Sequence, residues 1–211
     1  MDRSARRAGA FGIAAAVVYV AATAAGSVLD PSYSQVRQHV SDLTASGAST
    51  WAALAPAYLL YNALCLAFAV ALYRSSSRTR LFKVGLGLLV LNAFAGVMMV
   101  TWFREDPGRV VTTASGAGHI AFASVSSLTI VLGSIVYGFA FGRSPVWRGL
   151  SAFSFAVGAA MIAFSPIAIA AINSPLAGLA ERGAIGVFLV WLIGVGGYLL
   201  NHSPGRRTVV A

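Results

Sequence analysis

The sequence has few charged side chains. Only 10% of its 211 residues are charged, against about a quarter in an ordinary soluble domain, while 58% are hydrophobic and the mean hydropathy is +0.78. This imbalance excludes a disordered chain and an ordinary soluble enzyme. The net charge is +9, but the arginines stand in short clusters between apolar runs and do not form a soluble basic face. We therefore expect a lipid bilayer, and no nucleic acid, as the partner.

Cysteine and histidine are nearly absent. Cys65 is the single cysteine, which excludes an internal disulfide and a cysteine-rich metal cluster. Three histidines and six carboxylates leave few residues able to do chemistry. The sequence also lacks a glycine-rich dinucleotide-binding motif and a phosphate-binding loop with its lysine. These absences favour no particular reaction and no particular cofactor.

Six long stretches contain no charged residue. Each is long enough for one helix across the hydrocarbon core, which takes about 20 residues, and none shows the alternation of a membrane barrel. The sequence therefore predicts an all-α protein, a polytopic bundle of six transmembrane helices in a single domain over residues 1–211. The predicted spans are about 9–29, 51–73, 84–103, 118–142, 149–172 and 184–202. The first span also resembles a signal peptide, but because five more follow we expect it to be retained.

The basic residues are unevenly divided between the two sides of these spans. With a cytoplasmic N-terminus, eleven of fifteen fall in cytoplasmic segments, so the positive-inside rule predicts a cell-membrane protein with both termini in the cytoplasm. The cytoplasmic set is Arg3, Arg6, Arg7, Arg74, Arg78, Arg80, Lys83, Arg143, Arg148, Arg206 and Arg207. The outer set is Arg37, Arg104, Arg109 and Arg182, and five carboxylates lie on that side: Asp30, Asp42, Glu105, Asp106 and Glu181.

This orientation predicts the behaviour of a fusion protein. A reporter fused after Ala211 should be active if it requires the cytoplasm and inactive if it requires the outside. Activity of a reporter that works only outside the cytoplasm would contradict the predicted orientation.

Polar and ionisable residues collect in the loops expected outside. In the first of these loops, one face of a short amphipathic helix would carry Val36, His39, Val40 and Leu43, with Asp42 beside it. We expect this loop to fold back over the helix ends and to place the His39–Asp42 segment against the start of helix four, closing a polar pocket. We also expect Arg104 and Arg182 to pair with carboxylates, because unpaired buried carboxylates are costly.

Two further polar sites complete the candidate set. His119 opens predicted helix four, and Glu181 and Arg182 directly precede helix six. Because helix starts carry exposed N–H groups and a positive dipole end, they favour carboxylates and neutral histidine. The alternative to a binding role is that each residue is only a surface group, caps a helix, or forms a hydrogen bond at the membrane interface. The candidate ligand-binding residues are His39, Ser41, Asp42, Arg104, Asp106, His119, Glu181 and Arg182.

Four segments occur in an order that resembles a known family. They are Arg-Gln-His-Val-Ser-Asp-Leu (37–43), Phe-Arg-Glu-Asp-Pro (103–107), Gly-His (118–119) and Gly-Leu-Ala-Glu-Arg (178–182). The chain resembles the bacterial membrane family called domain of unknown function 998, whose members have six predicted spans. Val40 and Arg104 replace prolines of the family pattern, which puts the local loop shape in doubt. The resemblance implies the fold and the candidate site, and it implies no reaction.

Several functions are compatible with an outward-facing polar pocket. We favour binding of a lipid head group or small ligand, or assistance to a partner protein. A metal-dependent hydrolase of lipid-like substrates is the alternative, with a divalent ion held by two imidazoles and two carboxylates. A small transporter, and a scaffold in which the cluster only ties loops together, also remain open. The metal ligands would be His39, Asp42, Asp106 and His119.

Overall fold

Six long helices make up most of the chain. The computed structural model describes residues 3–202, except for the side chain of Arg109. That part of the chain contains no β-strand, and each long helix is apolar enough to cross a bilayer, which confirms the predicted all-α class and six spans. The helices are α1 (Arg3–Leu29), α2 (Trp51–Ser75), α3 (Arg80–Thr101), α4 (Ala114–Gly142), α5 (Gly149–Ala170) and α6 (Ala177–Asn201).

The two ends of the bundle differ in charge. We call the end where α1, α3 and α5 begin the basic end, because nine cationic side chains of the described residues lie there. The opposite end is called the capped end, because the α1–α2 connection covers it. All five carboxylates of the described residues lie at the capped end. Arg206 and Arg207, which the predicted orientation also uses, and Asp2 lie outside the described residues.

Several helices begin earlier than predicted, because their first turns extend beyond the uncharged apolar stretches or include small and polar residues. Helix α6 begins at Ala177, so Glu181 and Arg182 lie one turn inside the helix and do not precede it. Helix α4 begins at Ala114, capped by the Thr113 hydroxyl, which accepts from the Gly116 amide. His119 therefore lies in the second turn of α4 and does not open the helix.

The helices form a ring in chain order. Each packs against its sequence neighbours, and α6 closes the ring by packing against α1. The α1–α6 seam is tight, since a Cβ atom on Gly196 would lie 2.8 Å from the carbonyl oxygen of Gly9. Small residues permit such close approach of helix backbones in lipid. This closure brings the first loop beside the start of α6.

Aromatic side chains fill the interior of the ring toward the basic end. Trp191 of α6 makes edge-to-face contact with Phe68 of α2 and lies 5.4 Å, between ring centroids, from Tyr137 of α4. Phe82 of α3 joins the same cluster and lies 5.4 Å from Trp147, in the α4–α5 connection. All five rings are buried. Buried aromatic rings therefore fill the centre of the basic half of the bundle.

Interhelical hydrogen bonds hold the other half of the bundle. The buried Asn92 amide donates to the Ser126 hydroxyl at 2.8 Å and links α3 to α4. The Thr23 and Tyr58 hydroxyls, 3.2 Å apart, link α1 to α2. Such bonds contribute about 0.6–2 kcal/mol each inside a membrane.

The α2–α3 seam allows a test of this packing. A Cβ atom added to Gly96 would collide with the Asn62 side chain, whereas one added to Gly87 of the same helix would meet open space. Gly96→Ala should lower the free energy of unfolding by about 1–3 kcal/mol, and Gly87→Ala should not lower it. The unfolding midpoint in detergent micelles measures both variants, and equal midpoints would contradict the packing described here.

Candidate functional site

The first loop folds over the capped end of the bundle. Leu43 and Val40 are buried in a cluster with residues of α1, α2 and α3, and Leu43 packs on Gly26. The expected amphipathic helix is reduced to one 3₁₀ turn, Ser41–Thr44, and Val36 stays 44% exposed. Apolar side chains thus hold the loop on the helix ends, as predicted. Only Val40 and Leu43 do so, without Val36, and they lie in and beside a single 3₁₀ turn instead of a longer helix. We call residues 30–50 the cap.

Arg182 of α6 anchors the cap. Its Nε donates to Gln35 Oε1 at 2.7 Å, and its Nη1 donates to the Gln38 carbonyl at 2.8 Å. Nη2 donates to the Tyr33 hydroxyl, which in turn donates to the His39 carbonyl at 2.7 Å. The cap therefore packs against the start of α6, whereas the sequence predicted the start of α4. The arginine binds uncharged groups of the cap instead of the carboxylates that we expected.

Glu181 makes a second connection to the cap. One of its carboxylate oxygens accepts from the Val40 amide at 2.5 Å. The Leu179 amide donates to the Val36 carbonyl at 3.0 Å, so backbone as well as side chains joins the two elements. Asp42 works within the cap, where it accepts from the His39 amide at 2.8 Å. The two carboxylates thus satisfy amides that the irregular loop cannot satisfy itself.

Where the cap touches the α3–α4 connection, His39 lies beside Glu105, and Asp42 and Glu181 lie nearby. His39 Nδ1 lies 4.0 Å from Glu105 Oε1, and both side chains are about seven-eighths buried, at 12% and 13% exposure. The Ser46 amide donates to the Glu105 carbonyl at 2.8 Å. Glu181 lies within electrostatic range of Glu105, Asp42 and Arg182. We call Asp42, Glu105 and Glu181, with His39, the acidic seam.

Asp106 is bound to its own loop. It is 3% exposed, and its carboxylate accepts from the Thr113 hydroxyl at 2.7 Å, the Thr112 amide at 2.7 Å and the Thr113 amide at 2.8 Å. The Thr113 hydroxyl first, and then the Thr112 amide, lower the pKa of Asp106 to about 2. Asp106 is therefore ionised at neutral pH and fixes the turn from which α4 begins.

His119 and Arg104 also have partners away from the acidic seam. His119 is 8% exposed, and its Nδ1 lies 2.9 Å from the Phe103 carbonyl. Because a carbonyl can only accept, this contact assigns the proton to Nδ1 and leaves Nε2 of the neutral ring as an acceptor. Arg104 lies over the Trp51 ring, 4.8 Å from its centroid. Ser41 opens the 3₁₀ turn of the cap.

The predicted residues thus fall into two groups. His39, Asp42, Glu181 and Arg182 come together at the cap, while Asp106 and His119 serve the start of α4. Within residues 3–202 no three His, Cys, Asp or Glu side chains form a group that could hold a metal ion. A cavity of about 10 Å³ beside Asp106 has room for about one water molecule. The structure therefore does not assemble the four-ligand metal site, and the alternative hydrolase gains no support from it.

Sequence reasoning missed several residues that build the site. The sequence places Glu105 in the same group of loops but outside the candidate ligand set, although it joins the acidic seam. Gln35, Gln38 and Tyr33, which hold Arg182, were not singled out at all. The sequence did contain an indication of their role, because a segment expected to lie on apolar helix ends is rich in amide and hydroxyl side chains, which need hydrogen-bond partners there.

The fold and the charge distribution define a multi-pass helical membrane protein. A family model described as a protein of unknown function, DUF998, matches residues 13–198. The chain therefore belongs to this family, as the ordered segments predicted. No curated protein and no solved structure matches the chain.

Asp106 gives a prediction about stability and pH. Its carboxyl group has a pKa of about 2 in the folded protein and about 3.9 in an unfolded chain, so its ionisation stabilises the fold above pH 3.9. This contribution disappears as the pH falls through about 2. Asp106→Asn should lower the melting temperature at pH 7, and the gap to wild type should close by pH 2. If the difference in melting temperature does not depend on pH, ionisation of Asp106 is not what stabilises the fold.

Proposed function

We propose that the capped end binds a lipid head group or a small ligand that carries a protonated amine. The acidic seam supports this proposal, because Asp42 and Glu105 lie within electrostatic range of Glu181 in a place partly shielded from water. Shielded carboxylates attract a cation more strongly than exposed ones. When the group binds, His39 would change its contact with Glu105 to accommodate it. The remaining candidate residues, Ser41, Arg104, Asp106, His119 and Arg182, would support or border the same site.

Charge at this end favours a cationic group over an anionic one. Four of the five N–H donors of Arg182 bind the cap or the carbonyl of Gly178, which leaves a single Nη2–H for a bound phosphate. By sequence this end of the chain's spans carries five carboxylates against four arginines. A protonated amine would also offer up to three donors to the carboxylates.

The proposal includes an orientation. We place the protein in the cell membrane of a bacterium with both termini in the cytoplasm, so that the acidic seam faces outward. Nine cations at the basic end of the described residues support this placement through the positive-inside rule. The cap then faces the outer leaflet, where phosphatidylethanolamine is a suitable probe for an amine head group.

Isosteric amide variants test the proposal. Asp42→Asn and Glu181→Gln each keep an oxygen that can accept from the His39 or Val40 amide, but they remove the negative charge. Phosphatidylethanolamine retained from nanodiscs, measured by native mass spectrometry, should fall about tenfold in each variant. The control is Asp30→Asn, since among the described residues the Asp30 carboxylate accepts hydrogen bonds only from the nearby Ser32 in its own turn. In the wild type, phosphatidylglycerol should not be retained in place of phosphatidylethanolamine.

The scaffold interpretation predicts a different result. If Glu181→Gln and Asp42→Asn lower the melting temperature but leave lipid retention unchanged, the acidic seam only ties loops together. Equal retention of both lipids by the wild type would likewise contradict selectivity for an amine.

A further inference from the structure

A cavity at the basic end lies between the two connections that join α2 to α3 and α4 to α5. Its volume is about 190 Å³, and it is lined by Ser75, Ser76, Ser77, Ser144, Val146 and Trp147. This volume corresponds to roughly six water molecules of about 30 Å³ each, and it is smaller than the roughly 300 Å³ of a site for a drug-sized ligand. The size suits a compact polar group.

The lining offers hydrogen-bond donors that the protein does not use. Trp147 is 3% exposed, and its indole Nε1 has no hydrogen-bond partner among the described residues. The hydroxyls of Ser77 and Ser144 make no hydrogen bond within the same part of the chain, whereas those of Ser75 and Ser76 donate to helix carbonyls. A buried N–H without a partner is costly, and the Trp147 ring that carries it forms part of the cavity wall.

The charge around the cavity has one sign. Arg74, Arg78, Arg143 and Arg148 directly adjoin the lining residues in sequence. All described carboxylates lie at the opposite end of the bundle. The helix dipoles contribute little net field, because each connection joins a helix C-terminus to a helix N-terminus. The positive potential therefore comes from arginine, the residue that best matches phosphate geometry.

We propose that this cavity binds a phosphate group. The serine hydroxyls donate to its oxygens, and the arginines that adjoin the lining residues in sequence neutralise its charge. The group belongs either to an anionic phospholipid of the adjacent leaflet or to a soluble phosphate compound. This site is at the opposite end from the acidic seam, so it does not depend on the function proposed above.

The walls of the cavity are held independently of any ligand. Trp147 packs edge-to-face against Phe82 and Phe141, and the Tyr198 hydroxyl of α6 donates to the Val146 carbonyl at 2.9 Å. Because these contacts fix the α4–α5 connection, this wall of the cavity is preorganised for binding. A preformed wall loses little entropy when an anion arrives.

The four tryptophan indole signals in a ¹⁵N NMR spectrum provide the test. The protein is placed in phosphatidylcholine nanodiscs and titrated with inorganic phosphate at constant ionic strength, with chloride as the control anion. In a second arm the nanodiscs contain phosphatidylglycerol and no phosphate. The Trp147 signal should move in at least one arm and not with chloride. The signals of Trp51 and Trp191, whose indoles donate to Val100 and Ser154, should stay in place.

Matched variants distinguish binding of phosphate in the cavity from nonspecific attraction of anions to the basic end. Arg143→Gln should weaken the response about tenfold and Ser144→Ala about fivefold. Arg7→Gln removes the same charge from an exposed position on α1 and should leave the response unchanged. If Trp147→Phe, which assigns the signal, does not fold, phosphatidylglycerol retained in native mass spectrometry compares Arg143→Gln with Arg7→Gln instead.

Each outcome has a definite meaning. A response to inorganic phosphate identifies a soluble phosphate compound as the source, and a response to phosphatidylglycerol alone identifies a lipid head group. The proposal is overturned if the Trp147 signal moves in neither arm, if chloride acts equally, or if Arg7→Gln weakens binding as much as Arg143→Gln. In those cases the cavity holds only water.

Discussion

The Arg182 guanidinium is the interaction on which the capped end depends. Irregular backbone at a membrane border has little water to satisfy it, so its carbonyls and side chains need partners within the protein. Arg182 supplies donors to Gln35, Gln38 and Tyr33 of the cap. Gln35 continues the network by donating to the Thr23 carbonyl at 2.9 Å. One side chain on α6 thereby connects the cap to both α6 and α1.

The position of the acidic seam follows from this anchor. When the cap lies on α6, Val40 presents its amide to Glu181, and His39 comes next to Glu105. Close approach of Leu43 to Gly26 is possible because α1 has no side chain at that point. A bulkier residue there would lift the cap and separate the carboxylates. The electrostatic site therefore depends on a packing contact as much as on charge.

Much of the fold could be predicted from the sequence, because membrane spans are encoded locally. An uncharged stretch of about 20 residues specifies a helix in lipid whatever its neighbours are. The helix starts were predicted less well, since Glu181 and Arg182 were treated as loop residues and in fact form the second turn of α6. Charges at a membrane border are compatible with helix as long as their side chains reach polar groups.

The site was harder to predict, because its partners are set by tertiary packing. The cap contacts the start of α6 because α6 packs against α1 and closes the ring. No local sequence pattern encodes this closure. Asp106 is the opposite case, since its partners Thr112 and Thr113 follow it closely in sequence. A carboxylate followed by hydroxyl residues before a helix is a local capping arrangement, and the sequence contained enough information to recognise it.

The interior of the bundle bears on the transport alternative. A transporter binds its substrate near the middle of the membrane and exposes that site to each side in turn. Here the path from the acidic seam toward the basic end meets the buried rings of Phe68, Tyr137 and Trp191. Opening that cluster would expose large apolar surfaces and break contacts among α2, α4 and α6 together. The arrangement favours two separate binding surfaces, one at each membrane face, over a single path between them.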